Sequence, residues 1–259
     1  IRRRRQPLGR DAPFDAFVAA QTIPNVFRRL VAEGTLMIAF VPILTEVRAR
    51  EDAGEVRRFL GAVLGVLLPV LLVLTVAGML VPGVFVDAFA AGFDDQRALW
   101  AESMTRIMMP FLFFVSLVAL AAGTLNAFDH FAAPAAAPIL LNLGIIGAVS
   151  GWAGVLTPGV EAAAWGVLVG GVLQWVLQLP WLARKGLLVA PRWEPRHPDL
   201  RRLLVRMLPA VFGVGVYQLN LVVIRQIASF LPDGQMSCYF YATRLEEFAL
   251  GDIAVSISI

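Results

Sequence analysis

Long uncharged stretches alternate with short charged clusters along this chain. The uncharged runs span 59–86 (28 residues), 107–128 (22), 131–160 (30), 162–183 (22) and 207–224 (18). At about 1.5 Å of rise per residue, each comes close to or exceeds the roughly 30 Å hydrocarbon core of a bilayer. A further apolar region, 16–45, is interrupted by Arg28, Arg29 and Glu33, with uncharged flanks of 12 residues at 16–27 and 34–45. Neither flank crosses a bilayer alone. A single helix over the whole region predicts that these charges lie near mid-membrane, where a charge is costly and marks a substrate or ion path.

The pattern predicts seven membrane segments: A (14–45), B (59–86), C (104–127), D (131–156), E (160–183), F (203–231) and G, which starts near 236. Their connections differ in charge. The A–B, C–D and E–F connections carry eleven Lys or Arg residues, and the B–C, D–E and F–G connections carry only Arg97. That asymmetry predicts that the A–B and E–F loops face the cytoplasm. Arg2 to Arg5 run against it, because they precede a segment that starts outside, and they read as a solvated tail. Prolines within the spans, among them Pro24, Pro42, Pro69, Pro110, Pro138, Pro180 and Pro209, predict bent helices that suit a transporter cavity better than a rigid anchor.

Composition sharpens the class. Hydrophobic residues make up 58% of the chain and charged residues 16%, and mean hydropathy is +0.73. A soluble domain with one ordinary core does not carry that much apolar surface. The isoelectric point near 9.6 reflects loop arginines between spans rather than a nucleic-acid surface. One cysteine, Cys238, excludes an intrachain disulfide, and His130 and His197 are too far apart to suggest a histidine metal site. No metal or cofactor is expected. Both ends look cut, so the sequence reads as a piece of a longer protein.

Candidate chemistry concentrates in segments A and G. Arg29 and Glu33 are four residues apart and can pair on one helix face, whereas Arg28 points about 100° away from Arg29. A guanidinium at depth suits a phosphate through its planar fork of donors. A buried structural network, or charges that snorkel from a broken helix, is the competing reading. Asp15 reads as a helix cap, a partner for an arginine, or a cavity residue. Arg244 and Glu247 share a face in segment G and read either as a charged helix start or as part of a cavity. Arg106 and Arg225 read as interfacial. Asn142, Gln174, Gln178, Gln218 and Asn220 read as interhelical hydrogen-bonding groups, and Gly170 and Gly171 as points of close helix approach. The sequence has no Gly-rich phosphate loop, paired-His helix or nucleophile elbow. That pattern argues against ATP hydrolysis and against an enzyme, and leaves an ion, potential or substrate gradient to drive any pumping.

The stretch Pro24-Asn25-Val26-Phe27-Arg28-Arg29-Leu30-Val31-Ala32-Glu33-Gly34, followed by Ala39-Phe40-Val41-Pro42, resembles the signature of the MurJ (MviN) family of lipid II flippases. Further matches follow in the family's order: Asp15-Ala16-Phe17, Ala137 to Asn142, Trp165-Gly166 with Gly170 to Gln174, and Tyr241 to Leu245 with Glu247-Phe248. The resemblance covers nearly the whole chain. It implies an all-α polytopic transmembrane bundle of the multidrug/oligosaccharidyl-lipid/polysaccharide exporter superfamily, in the bacterial inner membrane and truncated at both ends. It also implies movement of undecaprenyl-pyrophosphate-linked peptidoglycan precursor, lipid II, to the outer leaflet by alternating access. Substrate-binding positions carried over are Asp15, Arg28, Arg29, Glu33, Arg244 and Glu247. Partners implied are lipid II, membrane lipids and cell-wall synthesis proteins, with no nucleic acid. The expected layout is a basic tail at 1–13, N-terminal bundle helices at 14–184, a cytoplasmic linker at 185–202 and further helices at 203–259. Alternatives are an exporter of another polyprenyl-linked glycan or a small drug, a membrane enzyme acting on polyprenyl phosphates, and a non-transporting scaffold for wall synthesis.

Overall fold

The computed structural model describes residues 12–30 and 36–247, and among them every regular element is a helix. In chain order these are α1 (Ala12–Arg28), α2 (Leu36–Arg48), α3 (Ala53–Leu80), α4 (Pro82–Ala90), α5 (Asp95–Ala127), α6 (Ala132–Trp152), α7 (Glu161–Arg184), α8 (Pro198–Ser229) and α9 (Gln235–Glu247). Five of them, α3, α5, α6, α7 and α8, are long and apolar enough to cross a membrane. The chain is therefore a multi-pass helical membrane protein, as the uncharged runs predict.

The helix ends depart from the edges of those runs for local reasons. Asp52 caps α3, its carboxylate accepting the N–H groups of Gly54 at 2.7 Å and Glu55 at 3.2 Å. Asp94 caps α5 through the N–H of Arg97 at 2.8 Å, and Asp95 adds negative charge to the first turn. α5 therefore begins nine residues before the expected start of segment C. The run 59–86 divides at Val81, where Pro82 ends one helix and opens the next. Segment F begins at Pro198 rather than 203, again with proline in the first turn.

In segment A the described residues form α1 and α2, residues 29–30 extend α1 as a wider π-type turn, and the stretch 31–35 between them lies outside the described residues. Such turns widen the backbone and recur at functional sites. Arg29 lies in this turn.

The central element is α5. Within its apolar stretch 72% of residues are buried, against 6% in α8. Met104, Met108, Met109 and Leu112 of α5 are fully enclosed, as are Ile23 of α1 and Ile43 and Leu44 of α2. Phe40 of α2 stacks on Phe59 of α3 with ring centroids 6.0 Å apart. α6 and α7 approach closely because each is glycine at the crossing. A Cβ on Gly166 would lie 2.6 Å from the Ile145 Cα, and one on Gly170 would lie 2.8 Å from the Leu141 Cα.

Polar contacts gather at the two ends of the bundle. At one end, Arg48 donates to Asp129 at 2.9 Å and to the Ala127 carbonyl at 2.6 Å. Arg50 forks onto Asp199 at 2.8 and 3.1 Å, and Asp199 holds that guanidinium above its ordinary range chiefly through this hydrogen bond. Arg58 pairs with Glu194 at 2.7 Å, and Glu46 pairs with Arg202 and Arg206. These contacts bring the A–B, C–D and E–F connections together at one end. Those are the three connections that carry the excess of basic charge.

Candidate functional site

The opposite end joins α1, the α4–α5 elbow, and the α8–α9 turn. Asp15 lies one turn into α1 and is almost fully buried. Its carboxylate accepts the N–H of Gly234 at 2.7 Å, the N–H of Ser237 at 2.8 Å, and the Ser237 hydroxyl. Pro232, Asp233 and Gly234 form the preceding turn, and Gly234 takes φ +86°, a conformation that suits a residue without Cβ. The first N–H groups of a helix lack partners within it and carry partial positive charge, so a carboxylate seated there is held strongly. Asp15 thus caps a helix, but not its own. Among the described residues it holds the start of α9 rather than an arginine. Phe14 reinforces the junction by stacking on Tyr241 with centroids 5.4 Å apart.

A second set of contacts flanks this one. Arg97 is buried and reaches Asp233 at 3.1 Å and Asp94 at 3.4 Å, with its guanidinium over the Phe93 ring at 5.0 Å. The amide of Gln226 bridges the elbow, taking the Ala91 N–H at 3.1 Å and donating to the Asp87 carbonyl at 3.2 Å. The Ser229 hydroxyl accepts the Gly92 N–H at 3.0 Å. Sequence reasoning missed this cluster. Arg97 counted only as a lone loop cation, and its partner lies far along the chain. The local signals were the Asp94-Asp95 cap before Arg97 and the Pro-Asp-Gly turn before Ser237.

The predicted arginines lie along helices that start at this junction. Arg28 is thirteen residues beyond Asp15 on α1, and Arg244 is seven beyond Ser237 on α9. At about 1.5 Å per residue these are roughly 20 and 10 Å along their helices from the shared anchor. Arg28 and Arg29 are both partly exposed, at the end of α1 and in the π-type turn. Arg244 is exposed, with its guanidinium 5.2 Å from the Phe240 ring centre. Glu247 is the last residue of α9, and Glu33 lies outside the described residues. Arg225 lies 6.0 Å from the Tyr239 ring, and Arg106 donates to the Met79 carbonyl at 3.1 Å. Of the polar residues within spans, Gln174, Gln178 and Gln218 are buried, while Asn142 and Asn220 are exposed.

A chemically useful arrangement follows. Cationic side chains line two helices that a buried carboxylate ties at one end, in a bundle that crosses the membrane. Such an arrangement can receive an anionic group between the helices, and it can change shape if the tie opens.

Comparison with known proteins identifies the family. The family model described as "Lipid II flippase MurJ" matches residues 6–259. The lipid II flippase MurJ of Burkholderia cenocepacia is 42% identical over 94% of this chain and 48% of its own length. The probable lipid II flippase MurJ of Haemophilus influenzae is 36% identical over 97% of this chain and 51% of its own. This chain therefore spans about half the length of these curated relatives. A solved structure described as lipid II flippase MurJ in an inward closed conformation shares the fold, with a TM-score of 0.80 at 24% identity, over 96% of this chain and 51% of that one. The relatives are named as flippases rather than enzymes. On the family match across nearly its whole length, the chain belongs to the MurJ family.

Proposed function

We propose that this chain works as part of a lipid II flippase of the bacterial inner membrane. The substrate is the undecaprenyl-pyrophosphate-linked peptidoglycan precursor, and the motion is alternating access. Arg28, Arg29 and Arg244 engage the pyrophosphate, while Asp15, Glu33 and Glu247 set the arrangement of the helices that carry them. The observation that carries this reading is the seating of Asp15 at the N-terminus of α9. It ties the start of α9 to the first turn of α1, and the arginines stand further along both. Opening that anchor on one side of the membrane while the arginines release substrate is the change an alternating-access carrier requires. A pyrophosphate has enough oxygens to take several guanidinium forks at once, and those contacts strengthen away from bulk water.

The test is depletion of the native flippase with rescue by the full-length parent, comparing wild type, Arg28→Ala and Arg28→Lys at matched membrane abundance. The expected result is rescue of wall synthesis by wild type, none by Arg28→Ala, and partial rescue at best by Arg28→Lys, which keeps the charge but not the fork. Equal rescue by Arg28→Ala removes the pyrophosphate role from this residue and favours the scaffold alternative. Failure of wild type on lipid II, with activity on another polyprenyl-linked glycan, reassigns the substrate.

A further inference from the structure

Two cavities lie side by side at the cation-rich end of the bundle, and none of Arg28, Arg29 and Arg244 lines either. The first is about 170 Å³ and apolar, lined by Leu60, Leu64 and Leu68 of α3, Leu120 and Ala121 of α5, and Trp175 of α7, among others. The segment 187–191 roofs it. That segment is fixed to α3 by the Arg192 N–H, which donates to the Gly61 carbonyl at 2.8 Å. The volume is close to that of engineered cavities of roughly 150 Å³ that take up benzene. The second cavity is about 210 Å³ and polar, lined by Arg48, Glu51, Asp52, Arg57, Phe128 and Lys185 with their neighbours. Leu187 lines both. An amphiphile can therefore place its polar part in one and its hydrocarbon in the other.

The charges in the polar cavity identify the amphiphile. Arg48 is neutralised by Asp129, and the Asp52 carboxylate caps α3. Arg57 and Lys185 donate to main-chain carbonyls, of Gly186 at 3.1 Å and Phe128 at 2.9 Å, and neither has a carboxylate partner among the described residues. Glu51 is exposed, held at φ +60° in the turn before α3, and makes no ion pair among the described residues. Two cations and one carboxylate thus remain to face a headgroup. A phosphate matches the cations, and an ammonium with N–H donors matches Glu51.

We propose that this pair of cavities is a binding site for an ethanolamine glycerophospholipid of the cytoplasmic leaflet. The phosphate lies between Arg57 and Lys185, the ammonium faces Glu51, and a few methylenes of one acyl chain pass Leu187 into the apolar cavity. The depth agrees, because the site sits where α3 starts and α7 ends, at the membrane edge with the excess of basic loop charge. The site does not depend on the identity of the transported substrate.

The test uses the full-length protein, delipidated in detergent and titrated with phosphatidylethanolamine, phosphatidylcholine and phosphatidylglycerol of equal chain length, with phosphoethanolamine as the chain-free headgroup. Bound lipid is counted by native mass spectrometry. The expected result is retention of one phosphatidylethanolamine about tenfold better than phosphatidylcholine, whose ammonium lacks N–H donors. Retention of phosphatidylglycerol and of the free headgroup should be weaker still. Glu51→Gln should erase the preference for ethanolamine over choline. Arg57→Gln with Lys185→Gln should lower retention of phosphatidylethanolamine about tenfold or more. Ala121→Phe, which fills the apolar cavity from the far side, should weaken the lipid without affecting the headgroup cations. Equal retention of all three lipids, stronger retention of phosphatidylglycerol, headgroup binding as tight as lipid binding, or indifference to the paired Arg57 and Lys185 substitutions would each overturn the assignment.

Discussion

The Asp15 carboxylate accepts the main-chain N–H of Ser237 at 2.8 Å and the hydroxyl of the same residue, so α1 supplies the N-terminal cap of α9. A cap taken from another helix does two jobs. It satisfies donors that α9 leaves open, and it fixes where the two helices meet. Asp15→Asn keeps the shape but turns one acceptor into an NH₂ group facing N–H donors. The expected loss is about 1.5–3 kcal/mol, the range for hydrogen bonds to a charged group.

Cross-linking reads that junction directly. In a Cys238→Ser background, needed because Cys238 is exposed, the pair Phe14→Cys and Tyr241→Cys occupies positions whose rings stack at 5.4 Å. Their bifunctional cross-link should form readily in the parent and in much lower yield when Asp15→Asn is added. Unchanged yield and an unchanged melting temperature would mean that the cap does not hold the helices together.

Arg97 and Asp233 should be energetically coupled. Arg97 is buried while Asp233 is partly exposed, so a double-mutant cycle with Arg97→Gln and Asp233→Asn is expected to return about 1–2 kcal/mol of coupling. The single Arg97→Gln should be the worse variant, because it removes the one guanidinium that reaches both Asp94 and Asp233. Additive effects in thermal unfolding of the full-length protein would show that the contact contributes nothing beyond its parts.

Much of this architecture is legible in the sequence because bilayer thickness imposes it. The five spanning helices coincide with uncharged runs, and the loops rich in arginine and lysine converge at one end. What escaped reading is whatever depends on a partner distant in sequence. The Asp15 carboxylate offers no sign that its donors lie at Gly234 and Ser237. The Arg97 charge gives no hint of Asp233. The wider turn at residues 29–30 escaped for a different reason: it is a matter of backbone geometry, to which hydropathy is blind. The start of α5 was obscured because a capped first turn is charged, and a search for uncharged residues discards it.

The α6–α7 crossing should tolerate no side chain at Gly166. A Cβ there would fall 2.6 Å from a backbone atom of the facing helix, which cannot rotate away. Gly166→Ala is expected to cost about 1–3 kcal/mol by forcing the helices apart. Gly147→Ala on α6 meets nothing within 4 Å, and should be neutral or stabilising through helix propensity. Equal melting temperatures for the two variants would contradict the close approach.

Asp199 presents the sharpest test of the cation-rich end. It is buried in the first turn of α8, where the helix dipole favours a carboxylate, and Arg50 closes over it with a two-pronged contact. Arg50 itself is well exposed, so its removal costs little in its own solvation. The cost falls on Asp199, left buried without its counter-charge. Arg50→Ala should therefore loosen the segment 186–197 and the start of α8, read as faster amide hydrogen exchange there with little change in α5. Adding Asp199→Ala removes the stranded carboxylate and should return much of the protection. Arg50→Lys should fall between, since it restores charge without the fork. If the double variant exchanges as fast as Arg50→Ala alone, the linker is held by its other contacts, Arg58 with Glu194 and Arg192 with Gly61, and not by the Arg50–Asp199 pair.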